Sequence, residues 1–282
     1  MNKAYVHGYD HQEKIRLKDQ ASTLIELLHH DTSYPAGSHI LEAGCGVGAQ
    51  TVTLARNSPN ALITSIDISA ASIAEAKKTV TTAGLTNVRF EQADIFSLPY
   101  GPESFDHIFV CFVLEHLPRP IEALNALKRH LREGGTITVI EGDHGSAYFH
   151  PDSEAARKAI WCQVELQRQA GGNAMIGREL YPLLRSAGFC SIRVSPRMVY
   201  VDSSKPELVE GFTKKTFTAM IEGVRESVLQ TGIIELCFFD QGIRDLYRTA
   251  EPDGVFCYTF FKAIGSKGLP NKELLQTRAE KR

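Results

Sequence analysis

No two cysteines stand at C-x-x-C spacing; the six present, Cys45, Cys111, Cys162, Cys190, Cys237 and Cys257, are scattered through 282 residues. That excludes the ligand spacing of a zinc site and the framework of a disulfide-stapled scaffold, and leaves the thiols as small hydrophobes. No metal is expected. Nor does any apolar run approach the ~20 residues of a membrane-spanning helix. The opening MNKAYVHGYDHQEK is polar and lacks the apolar stretch of a secretory signal, so a reducing, cytoplasmic setting is expected. Excess charge is missing too. The 31 Lys and Arg offset 33 Asp and Glu to a formal −2, which gives no field for holding a polyanion. Nucleic acid is therefore not an expected partner; self-association is left open.

What is present is an ordinary globular composition, 43% hydrophobic and 23% charged, long enough for one large domain with elaborations. An amphipathic helix is predicted over 12–30 and is broken at Tyr34-Pro35-Ala36-Gly37. Strand and helix then alternate: strands at 38–43, 61–66, 88–92, 105–113 and 136–141, with helices at 50–57, from Ser72 to Gly84, and from Ile121 to Gly134-Gly135. Ser72 and Glu75 have the spacing of a capping box. Such alternation predicts an α/β fold with a parallel, doubly wound sheet and right-handed crossovers. Further on, helices are predicted at 153–170, 177–187, 205–230 and 233–250, with strands at 190–201 and 254–264.

The most specific feature is Ile40-Leu41-Glu42-Ala43-Gly44-Cys45-Gly46-Val47-Gly48. A strand ends near a carboxylate and runs into three glycines at alternate positions. Small residues let the backbone approach a ligand, and the helix that follows offers unpaired N–H groups to an anion. The dinucleotide fingerprint is G-x-G-x-x-G, whereas this turn is G-x-G-x-G with an acid two residues before it. Glu42 would repel a pyrophosphate yet suits an ammonium group. Asp67 ends the second strand, where a carboxylate can accept two hydroxyls of a ribose. Asp94 follows the third strand, within reach of an adenine amino group.

In that order and spacing, ILEAGCGVG, ITSIDIS, EQADIF, FDHIFVCFVLEHL and LREGGTITVIE resemble the successive motifs of the class I methyltransferases, most nearly the UbiE-like small-molecule branch. The resemblance covers about residues 38–142. It implies a Rossmann-like, doubly wound sheet of seven strands with the last antiparallel, and S-adenosyl-L-methionine as cofactor, leaving as S-adenosyl-L-homocysteine. It also implies Gly44, Cys45, Gly46 and Gly48 with Glu42 on the methionine side, Asp67 and Ile68 at the ribose, Asp94 and Ile95 around the adenine, and Cys111 at the strand-four end.

The acceptor side is expected beyond strands four and five. His116 is one candidate base, since an imidazole titrates near neutrality. Asp143 and His144 are preferred, with Glu141, Tyr148, Phe217 and Tyr9 as candidate substrate contacts. No Asn/Asp-Pro-Pro-Tyr/Phe tetrapeptide ends strand four, and no Pro-Cys dipeptide occurs, which turns the reading away from amino-directed macromolecular and cytosine-C5 enzymes. A small, apolar or aromatic methyl acceptor is the expected partner. RNA or protein methylation, nicotinamide-dependent oxidoreduction, and cofactor binding without methyl transfer are the alternatives. The expected organisation is a helical segment at 1–36 that could act as a lid, a core at 37–201 and 254–265, an inserted helical cap at 202–253 and a flexible tail at 266–282.

Overall fold

The computed structural model describes residues 23–268. Seven strands form one sheet: β1 His39–Ala43, β2 Leu62–Asp67, β3 Val88–Gln92, β4 Phe105–Cys111, β5 Leu131–His150, β6 Cys190–Val201 and β7 Val255–Ser266. Their order is β3-β2-β1-β4-β5-β7-β6. β1 to β5 run parallel, and β7 lies antiparallel between β5 and β6. The chain reverses direction across the sheet between β1 and β4, the place where open α/β sheets bind ligands at their carboxyl ends.

Helices α1 Ile25–His29, α2 Ala49–Asn57, α3 Ala70–Thr82, α4 Pro120–His130, α5 Glu154–Gln169 and α6 Leu180–Ser186 flank the sheet. Two buried clusters follow from the strand alternation. Ile40, Phe109, Ile140, Tyr258 and Phe260 face α5 and the helices beyond β6, while Leu41, Ile108, Val139 and Ala263 face α4 and α6. Between β6 and β7 lie a turn at Pro206–Leu208, a π-helix at Val209–Thr218, a turn at Ala219–Glu222, then α7 Arg225–Thr231 and α8 Leu236–Arg248. Gly242 lets α8 touch α5, since a Cβ there would stand 2.3 Å from the Ala155 carbonyl oxygen. No helix among the described residues is long and apolar enough to cross a membrane.

Four local expectations change. The α3 cap is Ser69, whose hydroxyl accepts from the Ser72 N–H at 3.2 Å; Ala70 and Ala71 extend the helix ahead of the predicted box. α4 stops at His130, and Leu131 already pairs with β4, so Gly134 and Gly135 lie inside a strand. β5 continues beyond Glu141 to His150, held by β7, where a loop was expected. The predicted helix over 205–230 is instead a series of short pieces around the π-helix. Of the predicted helix over 12–30, the part before residue 23 lies outside the described residues, as do Tyr9 and 269–282.

Candidate active site

Each glycine of the turn after β1 has its own reason for being glycine. Gly44, Gly46 and Gly48 hold φ of +79°, +52° and +80°, a region costly for residues with a Cβ. A Cβ on Gly44 would stand 2.5 Å from Val113 Cγ2, and one on Gly48 2.9 Å from Ala76 Cα in α3. Gly46 differs: nothing lies within 4 Å of where its Cβ would be, so this part of the turn faces open space. α2 begins right after Gly48 without a side-chain cap, which leaves its first N–H groups for a ligand. Cys45 is buried in the turn, and burial pushes its thiol well above the usual range.

Two acids organise this turn from below. Asp67 at the end of β2 accepts from the Gly46 N–H at 2.9 Å through one oxygen and from the Ser69 N–H at 2.9 Å through the other. Burial raises its carboxyl, outweighing those bonds. Glu42 is buried in β1, where one oxygen accepts from Thr51 at 2.7 Å and Ser65 at 2.5 Å. Burial pushes its pKa from 4.5 to about 7, against the pull of both hydroxyls. Since the folded protein then keeps a proton that the unfolded chain releases, stability is full below about 4.5 and falls as pH rises through about 7. Glu42→Gln is accordingly expected to stabilise the ligand-free protein by about 1–3 kcal/mol at pH 8 and hardly at all at pH 4. Denaturant unfolding at the two pH values checks this; equal effects would mean that Glu42 does not titrate in that range.

Ile68 is 61% exposed beside Asp67, its carbonyl held by Gln92 at 2.9 Å. Asp94 is exposed and accepts from the Phe96 N–H at 2.9 Å, and Ile95 is half-buried next to it. These residues share one edge of the sheet with the glycine turn. A sulfonium nucleoside carrying an amino acid fits the set: an open turn with an uncapped helix start for a carboxylate, a buried acid close by for an ammonium, and Asp67 for a diol.

β4 ends at Cys111, a buried thiol, because Phe112 takes a φ of +57°, a strained conformation for an aromatic residue. Its N–H donates to the Ile140 carbonyl at 2.9 Å, and its ring lies 5.6 Å from that of Phe260. The 3-10 turn Leu114–His116 follows, clasped by Glu141: one oxygen of that buried carboxylate accepts from the N–H groups of Val113 at 3.0 Å and Leu114 at 2.7 Å. His116 Nε2 stands 3.7 Å from a Glu115 oxygen.

The long β5 separates Asp143 from His144, because successive side chains point to opposite faces. Asp143 gives both oxygens to Arg178, at 2.7 and 2.8 Å, and one of them also accepts from the Gly145 N–H. That engagement makes Asp143 an anchor for Arg178 rather than a base. His144 points to the aromatic side, within 6.0 Å of Phe217 and 5.8 Å of Tyr258 between ring centroids. Its Nδ1 is 3.0 Å from the Ala174 carbonyl, which can only accept, so Nδ1 is assigned the proton. Tyr258 Oη is 3.1 Å from the same nitrogen, and Met220 Sδ is 3.4 Å from Nε2.

Two expected substrate contacts fall elsewhere. Phe217 is 2% exposed and packs into the core against Phe256 and Tyr258. Tyr148 is 69% exposed toward the end of β5, paired with Cys257 on the sheet face away from the aromatic cluster.

The segment Gly171–Met175 carried no prediction, yet it joins the two halves of the site. Asn173 N–H donates to the Glu115 carbonyl at 2.7 Å, and Ala174 holds His144. Gly172 is needed because a Cβ would stand 2.4 Å from the Glu115 carbonyl oxygen. The adjacent Gly171-Gly172 pair was the available sequence clue. Tyr258, Gln167 and Arg178 were missed because nothing local marks them.

Residues 35–188 match a protein family described as a methyltransferase domain. An uncharacterized protein in a Streptomyces fradiae transposon is 32% identical over 190 residues, 66% of this chain and 54% of that one, so this chain spans about half of that relative. The 27-O-demethylrifamycin SV methyltransferase of Amycolatopsis mediterranei is 28% identical over 231 residues, 79% of this chain and 77% of that one. Among solved structures, the YcgJ protein of Bacillus subtilis superposes with a TM-score of 0.54 at 15% identity, over 91% of this chain and 100% of that one, a likeness of fold. With more than half of its length inside the matched domain, the chain belongs to the methyltransferase-domain family of class I S-adenosylmethionine-dependent methyltransferases.

Proposed function

We propose that this protein moves a methyl group from S-adenosylmethionine to an O, N or C atom of a small, apolar or aromatic molecule by in-line displacement. The observation that carries the reading is the Gly44–Gly48 turn, open at Gly46 and tied to Asp67. The cofactor supplies a methyl group already activated on a sulfonium sulfur. The start of α2 would hold its carboxylate, Glu42 its ammonium, Asp67 and Ile68 its ribose, and Asp94 with Ile95 its adenine.

The remaining work is alignment, exclusion of water and removal of a proton. Phe112, partly buried against the core ring of Phe260, gives the site its apolar wall, and the helices of 202–253 act as a cap on the core of 37–201 and 254–265. His144 takes the proton at Nε2, since Nδ1 already carries one. Met220 lies against that nitrogen in the roof, and a methionine there can swing aside for an acceptor.

Calorimetric titration with S-adenosylmethionine and, separately, NAD tests the cofactor. Micromolar binding of the former alone is expected; preferential NAD binding would overturn the reading. Asp67→Ala should weaken S-adenosylmethionine binding by about 1–3 kcal/mol, losing the ribose contact and the tie to Gly46 together. Unchanged affinity would remove Asp67 from the site.

A further inference from the structure

β4 and β5 end side by side, Cys111 opposite Ile140, and the Phe112 N–H continues the pairing to the Ile140 carbonyl. The 3-10 turn begins just beyond, and the first N–H groups of a helical turn have no partner within it. A Ser, Thr, Asp or Asn at the cap position would take them, but that position is Val113, which has no side-chain acceptor. Glu141 supplies the acceptor from β5 instead. Its Oε1 takes the Val113 N–H at 3.0 Å and the Leu114 N–H at 2.7 Å, and the residue is 0% exposed. The far end of the same turn is held as well, the Glu115 carbonyl accepting from Asn173 N–H at 2.7 Å and Gln167 Nε2 at 3.1 Å. The valine serves another contact. A Cβ on Gly44 would stand 2.5 Å from Val113 Cγ2 and 3.2 Å from Cγ1, so the valine fills the space that glycine leaves. On its β2 side the glycine turn is tied by hydrogen bonds, from Gly44 and Cys45 to the Ile66 carbonyl at 2.8 and 2.9 Å and from Gly46 to Asp67. On its β4 side it is met by the Val113 side chain.

We propose that Glu141 is a positioning residue for the cofactor: its cap on the 3-10 turn holds Val113 against Gly44 and keeps the glycine turn shaped for the methionine end of S-adenosylmethionine. This rests on the cofactor reading above and adds to it a residue that acts through Val113. One acceptor oxygen is enough for the role. Oε2 has no hydrogen-bond partner, and burial, with the Glu115 charge second, drives the carboxyl well up. A neutral carbonyl oxygen can therefore take the same two bonds. Removing that oxygen strands two buried N–H groups, a cost the 3-10 turn relieves by shifting, and Val113 shifts with it. The glycine turn then spends part of its time in shapes the ligand cannot use, and apparent affinity falls by that fraction.

The test is calorimetric titration of the full chain with S-adenosylhomocysteine, on Glu141→Gln, Glu141→Ala, Val113→Ala and the double alanine variant, each checked for folding by circular dichroism. Glu141→Ala is expected to weaken binding about tenfold or more, and Val113→Ala about threefold to tenfold. Glu141→Gln should stay within about threefold of the parent, since its carbonyl oxygen keeps both bonds. In the double variant the two losses should not multiply, because both break one link. Parent-like affinity in folded Glu141→Ala, a glutamine variant as weak as the alanine one, or losses that multiply in full would overturn the proposal. If Glu141→Ala does not fold, Val113→Ala decides: unchanged affinity would cut the link between cap and glycine turn and overturn it. A parent chain that does not bind S-adenosylhomocysteine would overturn the cofactor reading and the proposal with it, whereas the outcomes above overturn the proposal alone.

Discussion

Replacing His144 by glutamine is expected to lower the turnover number by about 10²–10⁴ while leaving cofactor affinity within about twofold. Glutamine keeps a donor for the Ala174 carbonyl and roughly the same length, so packing against Tyr258 is retained; what is lost is a nitrogen that can accept a proton. The measurement that separates a base from a packing residue is the pH profile of kcat/KM, taken with an acceptor found by screening small apolar and aromatic molecules. In the parent protein the rate should rise with pH as the imidazole becomes neutral; in His144→Gln that limb should disappear, leaving a low, flat profile. A variant that is slow but keeps the limb would assign the titration elsewhere, with His116 the group to examine next. A variant as fast as the parent would end the role of His144 as base.

Asp31→Ala is expected to cost about 2–4 kcal/mol of folding stability. Lys262, in β7, is 2% exposed, and its ammonium donates to Asp31 at 2.6 Å and to the Thr32 hydroxyl at 2.6 Å. Arg197, in β6, holds the other Asp31 oxygen at 2.5 Å. One carboxylate after α1 thus compensates two cations from neighbouring strands. Removing it leaves a buried ammonium with a single hydroxyl partner beside a guanidinium. Asp31 is itself 42% exposed, which keeps the expected cost below that of a fully dry pair. Burial alone would raise the Asp31 carboxyl, but the bonds from Lys262 and Arg197 outweigh it and hold its pKa at about 2. Its stabilising contribution is therefore complete above the ordinary value of 3.8 and fades as pH falls toward 2. Urea unfolding at pH 7 checks the magnitude. Lys262→Met in the Asp31→Ala background should recover part of the loss, since it removes the stranded charge. A cost below about 1 kcal/mol, or a double variant worse than the single, would show that water already reaches Lys262.

The cofactor half of the site was legible because its signals are local. Gly44, Gly46 and Gly48 announce a backbone that an L side chain resists, and the structure places all three at positive φ. Asp67 stands at a strand end, and strand ends can be located from apolar runs such as ITSID; its bonds to Gly46 and Ser69 then span a single β-α-β unit. The order of five strands and their helices follows from the same runs, whereas an antiparallel β7 was implied only by the family resemblance. Misjudged boundaries lie where tertiary pairing overrides a local cue: Gly134 and Gly135 were read as a helix stop, but α4 ends earlier, at His130, where Leu131 pairs with Phe105 of β4.

The acceptor half depends on contacts that no window of sequence contains. His144 meets Tyr258 across 114 positions and Met220 across 76, and Glu115 meets Gln167 across 52. Which face of β5 each residue takes could not be settled without knowing that the strand continues past Glu141, and that parity sends Asp143 to Arg178 and His144 to the aromatic wall. The sequence by itself determined the parallel sheet, the glycine turn and the acids under it, because those are set by backbone sterics and strand periodicity. Tertiary structure alone decided that Glu141 clasps the turn after β4 and that His144 lies between the Ala174 carbonyl, Tyr258 and Met220, because burial and hydrogen-bond partners arise only when distant strands and the Gly171–Met175 segment close around them.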